Sequence, residues 1–290
     1  MPRHEPAAVA ADAPHAIPIR RPGFDFSKMS RHWFDGDAYS THIMNAFSLT
    51  LPLGERFFIE SVRQHLDAIK SPALRTDVSH FFAQESMHGQ LHEGLNEWIR
   101  AQGFVTREIE ADAQARLDNL RAKFSPKIQL AITMAWEHFT AILSDYVLGN
   151  APLRESWERG ARDLWEWHAL EEMEHRAVPF DVYREAGGGY FIRAITMLFV
   201  TVKYIPTIAR YRDQLLAQEP VAISEEQRRA GSRRFWISPG YLRRVFPAWL
   251  AYFRPGFHPS QRAAPAAFDE VRRRFEDSVV RSDGATSRAK

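Results

Sequence analysis

The sequence predicts an all-α protein: a four-helix bundle with additional C-terminal helices. Three observations carry this. Apolar residues recur at three- and four-residue intervals through almost everything after residue 37, and strand-like alternation is scarce. Two Ser-Pro pairs, Ser71–Pro72 and Ser125–Pro126, supply an N-cap followed by proline in the first helical turn. Glycines close the helices: Gly103, Gly149 and the run Gly187–Gly188–Gly189.

Residues 1–30 read as a disordered N-terminal arm. The first 22 are rich in Ala, Pro and charge and lack the apolar stretch of a signal peptide. A helical domain over 31–217 follows. Its first bundle helix includes Gly54 to Ile69 and reaches back toward Ala38 with a bend at Pro52. The second runs from Ser71–Pro72 to about Ala101. A polar helix over about Arg107 to Lys123 connects the halves. The third runs from Ser125–Pro126 to Gly149–Asn150, and the fourth from about Leu153 to Ala186. A further helix covers Tyr190 to Ala217. Its apolar stretch, interrupted by Arg193, Lys203 and Pro206, is too short to span a bilayer. Residues 218–290 form a basic, partly helical extension with a short helix near Phe268 to Val279.

The absence of cysteine excludes disulfides, thiolate zinc sites, iron–sulfur clusters and cysteine nucleophiles. Any metal must be held by His and carboxylate, which suit iron, manganese or zinc. The net charge of +2 is unevenly divided. Residues 1–186 carry 20 Lys+Arg against 27 Asp+Glu, whereas residues 187–290 carry 18 against 9. The acidic part holds the chemistry-bearing motifs. The basic part suits an anionic neighbour or an ordinary solvated surface.

Each of the four bundle helices carries an acidic residue within an apolar stripe. They are Glu55 on the first; Glu85 with His88 on the second; Glu137 on the third; Glu172 with His175 on the fourth. The order is Glu, E-x-x-H, Glu, E-x-x-H, a ligand set for two metal ions in a helical bundle. Residues three apart project from one face, so each E-x-x-H aims a carboxylate and an imidazole at one point. The burial pattern agrees: Val78, Phe81 and Leu95 share the face of Glu85, and Leu130 and Met134 that of Glu137. Unpaired carboxylates there would cost several kcal/mol or titrate abnormally. His168 lies four residues before Glu172 and seven before His175, so all three share one face. His92, one turn after His88, could reach the centre but reads rather as a polar core or surface residue. His138 reads as a packing residue beside the centre. Glu171 and Glu174 point elsewhere, with Glu171 the reserve candidate. Asp145 and Asp181 are candidates to orient ligand imidazoles, and Tyr146 and Tyr183 are packing residues or redox-active phenols.

The segments Leu53-Gly54-Glu55-Arg56-Phe57-Phe58, Gln84-Glu85-Ser86-Met87-His88, Glu137-His138-Phe139-Thr140 and Glu171-Glu172-Met173-Glu174-His175 resemble the ferritin-like superfamily. More narrowly, over about residues 30–260 they resemble the bacterial family described as predicted metal-dependent hydrolases. The H-x-x-x-E-x-x-H of His168, Glu172 and His175 is similar to the fourth helix of p-aminobenzoate N-oxygenase-like di-iron enzymes. That resemblance implies that His168 is a third imidazole ligand and the seventh ligand of the set. Three functions follow as expectations. The first is a di-iron oxidase or oxygenase that uses O2 and an electron donor on a small apolar molecule. The second is a hydrolase using water activated by two metals, where zinc or manganese would serve. The third is non-catalytic metal binding or storage. The expected location is the cytoplasm, and residues 190–260 suit peripheral membrane contact or a homodimer surface. No motif points to nucleic acid.

Overall fold

The computed structural model describes residues 17–280. Among them the fold is all-α, with two isolated bridges, Arg20 to Val279 and Phe34 to Trp157, and no strands. Four helices pack in a square: α1 (Ala38–Arg63), α2 (Pro72–Ala101), α4 (Pro126–Leu148) and α6 (Arg159–His175). Each touches two of the others: α1 with α2 and α4, α6 with α4 and α2. The polar connector α3 (Arg107–Lys123) lies on α1, and α8 (Tyr190–Leu216) packs across α1 and α4.

The helix starts follow the capping chemistry. Asp37 accepts from the amides of Tyr39 and Ser40 at the start of α1. Ser71 accepts from Leu74 N at the start of α2, and Pro72 occupies the first turn. Pro52 lies inside α1 and cannot donate to the Ser48 carbonyl one turn back. Asn96 Nδ2, from α2, donates to that carbonyl at 3.3 Å instead. A neighbouring side chain thus repairs the break three residues before Glu55.

The structure corrects three boundaries. The first helix ends at Arg63, and a short 3₁₀ turn at Leu66–Ala68 follows. The expected fourth helix from Leu153 to Ala186 is three: α5 (Ala151–Glu155), α6 and α7 (Val178–Glu185). Pro179, at the start of α7, has no N–H to continue the ladder, so the helix is interrupted directly after His175. The extension folds as α9 (Glu225–Trp236), α10 (Tyr241–Ala251) and α11 (Phe268–Arg274), with α10 on α4 and α11 on α6. Against the expectation of a stretch too short to span a bilayer, α8 taken whole is long and apolar enough to cross a membrane by length and composition. Its residues Met197, Val200, Tyr211 and Leu215 are buried against the bundle.

The third correction concerns the arm. Residues 1–16 lie outside the described residues, but 17–30 are not disordered. Ile17 and Arg20 are buried, and this segment straps the bundle beside α6. Arg20 makes a two-pronged bond to Glu174 (2.7 and 2.8 Å) and reaches Glu171 at 3.2 Å. At Gly160 a Cβ would lie 2.5 Å from the Asp25 carbonyl, so only glycine admits the strap this close to α6. A planar guanidinium serving two carboxylates outweighs the low hydrophobicity that made the segment look unstructured. Removing one partner of a buried ion pair leaves the other uncompensated, which costs about 3–5 kcal/mol. Arg20→Ala is therefore expected to lower stability by that order in denaturant titration. A loss under about 1 kcal/mol would show that the strap is not anchored there.

Candidate metal centre

Seven candidate ligands converge in the middle of the bundle. Glu55 comes from α1, Glu85 and His88 from α2, Glu137 from α4, and His168, Glu172 and His175 from α6. None is more than 3% exposed. Three groups of potential ligand atoms each lie within 4.8 Å of one another: Glu85–Glu137–His175, Glu85–His88–Glu172 and Glu55–His88–His168. Glu85 belongs to two groups, which suits a carboxylate bridging two ions. Gly89 lets α1 and α2 close here, since a Cβ at that position would meet Glu55 Oε2 at 3.2 Å.

The atoms face one another without satisfying one another. His175 Nε2 lies 3.0 Å from Glu85 Oε1, 3.4 Å from Glu137 Oε2 and 3.7 Å from Glu172 Oε2. His88 Nδ1 lies 3.7 Å from both Glu85 Oε1 and Glu172 Oε1. Yet both oxygens of Glu55, Glu85 and Glu137, His175 Nε2, His168 Nε2 and both His88 nitrogens are buried and make no hydrogen bond. Buried polar atoms without partners are rare in folded proteins. Their convergence on common points fits a cation pair. Burial, then repulsion from Glu85 and the other carboxylates, pushes Glu55 and Glu137 well above the ordinary carboxylate range. Burial acts the same way on Glu172, but the adjacent His168 and His175 imidazoles outweigh it and hold that carboxylate low.

Residues behind the ligands fix which nitrogen is free. Gln84 Nε2 donates to the Pro18 carbonyl (2.9 Å) and to Glu174 (3.0 Å), so its Oε1 is the acceptor for His175 Nδ1–H at 2.9 Å. That leaves His175 Nε2 for metal. The second chain starts at Asn96. Its Nδ2 is committed to the Ser48 carbonyl, so its Oδ1 accepts from Ser48 Oγ at 2.8 Å. Ser48 Oγ then accepts from His92 Nδ1–H at 3.0 Å. Burial, with His168 nearby, keeps His92 well below the ordinary imidazole range and so neutral. Its bare Nε2 accepts from His168 Nδ1–H at 3.1 Å. His168 Nε2 is thereby aimed inward, 3.3 Å from Glu172 Oε1. Backing groups of this kind fix ligand tautomer and raise basicity.

The remaining sequence candidates separate cleanly. His92 is the polar core residue expected. Glu171 turns to Arg20 and Trp167, while its Oε2 faces the back of His88 at 3.3 Å. His138 leaves the centre and bonds the Ala248 carbonyl at 3.2 Å. Asp145 and Asp181 orient no ligand: they pair with Arg262 and His258 of the extension. Tyr183 bonds the Gly189 carbonyl, and Tyr146 bonds Asn150. Five backing residues carry no signal in the sequence: Gln84, Arg20, Ser48, Asn96 and Thr140, whose hydroxyl donates to Glu172. Gln84 precedes Glu85 directly, but nothing in its spacing marks it as the partner of a histidine on another helix.

A second trio, His32–His42–Glu219, also has ligand spacing. Its atoms are satisfied. Both histidines bond Glu219 Oε1 (2.9 and 2.6 Å), and Arg31 bonds Oε2 at 2.9 Å. A guanidinium already supplies the positive charge, so this trio is an ion-pair clasp between the start of α1 and the end of α8. Burial would raise the Glu219 carboxyl, but the bonds from His32, His42 and Arg31 win and hold it at about 2.

Residues 18–263 match a family model described as predicted metal-dependent hydrolase. No curated protein and no solved structure matches the chain.

Two outcomes are expected. Gln84→Ala removes the acceptor on His175 and should weaken metal binding about 10–100-fold in competition with a chelator. Undiminished affinity would mean that Gln84 does not set the His175 tautomer. Glu219 stabilises the fold while ionised, because its folded pKa lies below the ordinary value of 4.5. Its contribution is complete above 4.5 and is lost as pH falls toward about 2. Glu219→Gln should therefore lower the melting temperature at neutral pH, with the gap to wild type closing through that acid window.

Proposed function

The chain belongs to the family described as predicted metal-dependent hydrolases, and on that premise we propose that it is a dinuclear metal enzyme with a ferritin-like bundle. The ligands are Glu55, Glu85, His88, Glu137, Glu172 and His175, with His168 as the seventh. One observation carries this reading: buried oxygens and nitrogens from four helices converge without hydrogen-bond partners.

Of the two reactions open from sequence, the family description favours hydrolysis over O2-dependent oxidation. Two adjacent metals would supply a water ionised near neutral pH and positive charge for a developing oxyanion. The protein's own share is positional. Thr140 pins one oxygen of Glu172, Gln84 and His92 hold two imidazoles in register, and Phe and Trp side chains keep bulk water away. Oxidation stays as the second reading because of the pocket beside the centre. Its walls are apolar and aromatic (Phe47, Phe139, Trp165), and they offer few polar groups to orient a hydrolysable polar bond. The motif of His168, Glu172 and His175 also resembles that of N-oxygenating di-iron enzymes.

Elemental analysis should find about two metal ions per chain, falling to one or none in Glu172→Ala. Unchanged stoichiometry in that variant removes the ligand assignment. Ester or amide turnover with zinc or manganese, and no O2 uptake, supports hydrolysis. O2 consumption and an optical change after anaerobic Fe(II) loading overturns it in favour of oxidation.

A further inference from the structure

Two cavities meet beside the metal ligands. The larger, about 400 Å³, lies between α1, α3, α4 and α8. Its walls include Leu51, Phe58, Leu117, Leu120, Phe124 and Phe199. The smaller, about 200 Å³, is lined by Ile43, Met44, Leu143, Trp157 and Ile208 and reaches His168. Phe47, Phe139, Thr140 and Tyr204 line both. The shared stretch abuts the centre, since Thr140 bonds Glu172 and the smaller cavity touches His168.

The charges around the larger cavity are of one sign. Arg116, Lys123 and Lys203 line it, and no Asp or Glu does. Arg116 is engaged by Asp112 at 2.7 Å. Lys123 and Lys203 are exposed and form no ion pair among the described residues. Two free ammonium groups over an apolar interior select one chemical class. A wholly apolar molecule would leave the cations unused, a small polar one would gain nothing from the walls, and a cationic one would be repelled.

We propose that the substrate is an anionic amphiphile, its apolar chain lodged in the joined cavities and its carboxylate or phosphate head held by Lys123 and Lys203. His168 lines the smaller cavity and Thr140, bonded to Glu172, lines both, so the reacting atom lies along the chain and not at the head. This rests on the dinuclear reading for the reaction, but binding itself does not.

The test is displacement of a fluorescent fatty-acid probe from full-length protein, as purified and after chelation, with metal content measured separately. Dodecanoate should displace the probe, and dodecyltrimethylammonium should be at least about tenfold weaker. Lys123→Ala/Lys203→Ala, a surface change, should remove about that preference. Phe139→Trp, which narrows the common stretch, should weaken dodecanoate with helical circular dichroism as the folding control. Dodecyl phosphate in parallel identifies the head: tighter binding than dodecanoate assigns a phosphate, weaker a carboxylate. Equal binding of the cationic amphiphile, or no effect of the double substitution, overturns the proposal. Protein that binds dodecanoate but no metal refutes the dinuclear reading alone. Protein that takes up two metals but no dodecanoate refutes only this inference.

Discussion

Four carboxylates confined to one dry space impose the condition that the rest of this fold satisfies. Glu55, Glu85, Glu137 and Glu172 are each no more than 1% exposed. Like charges this close, removed from water, cannot all ionise without a compensating cation. Nor can the helices simply move apart, because the same stripes carry the apolar core: Val62, Phe81, Leu130 and Leu164 are buried on them. Hydrophobic packing holds the carboxylates together, and a doubly charged ion pair would relieve what packing alone leaves unfavourable. Protonation is the competing route to relief, and it is why Glu55 and Glu137 titrate so high when only protein surrounds them.

The same condition explains the strap and the backing residues. Glu174 adds negative charge on the turn of α6 that holds Glu172 and His175, and burial raises its neighbour Glu171 to about 8. Arg20 bonds both from outside the bundle, at 2% exposure. Gln84 then joins strap, Glu174 and His175 in one network. On the opposite side the Asn96–Ser48–His92 chain orders His168, and it uses the carbonyl that Pro52 leaves without a helical donor. A local defect in α1 thus becomes the anchor for an imidazole on α6.

Periodicity made the bundle legible, because the core stripes and the caps at Ser71 and Ser125 are local signals. The buried Glu/His cluster was legible for the same reason: E-x-x-H is an intrahelical spacing, and two copies preceded by core-facing glutamates place those side chains together. What the sequence hid was long-range. Arg20 contacts residues more than 150 positions away, and a polar segment rich in Pro and charge gives no sign of such a contact. Asp145 and Asp181 looked like partners for imidazoles because the extension, which supplies Arg262 and His258, could not be positioned. The break between α6 and α7 needed only Pro179, but a single proline between two strongly helical stretches reads equally as a kink.

One turn of α4 shows how the layers are tied together. Successive helical residues point about 100° apart, so Glu137, His138, Phe139 and Thr140 address four different surroundings. Glu137 enters the centre. His138, which burial holds at about 4 and therefore neutral, bonds the Ala248 carbonyl of α10 and packs on Tyr252 and Phe257. Phe139 lines both cavities, and Thr140 pins Glu172. Rotation of this turn would disturb ligand, cavity and extension together. The basic C-terminal segment therefore docks on the same turn of α4 that presents Glu137 and Thr140 to α6.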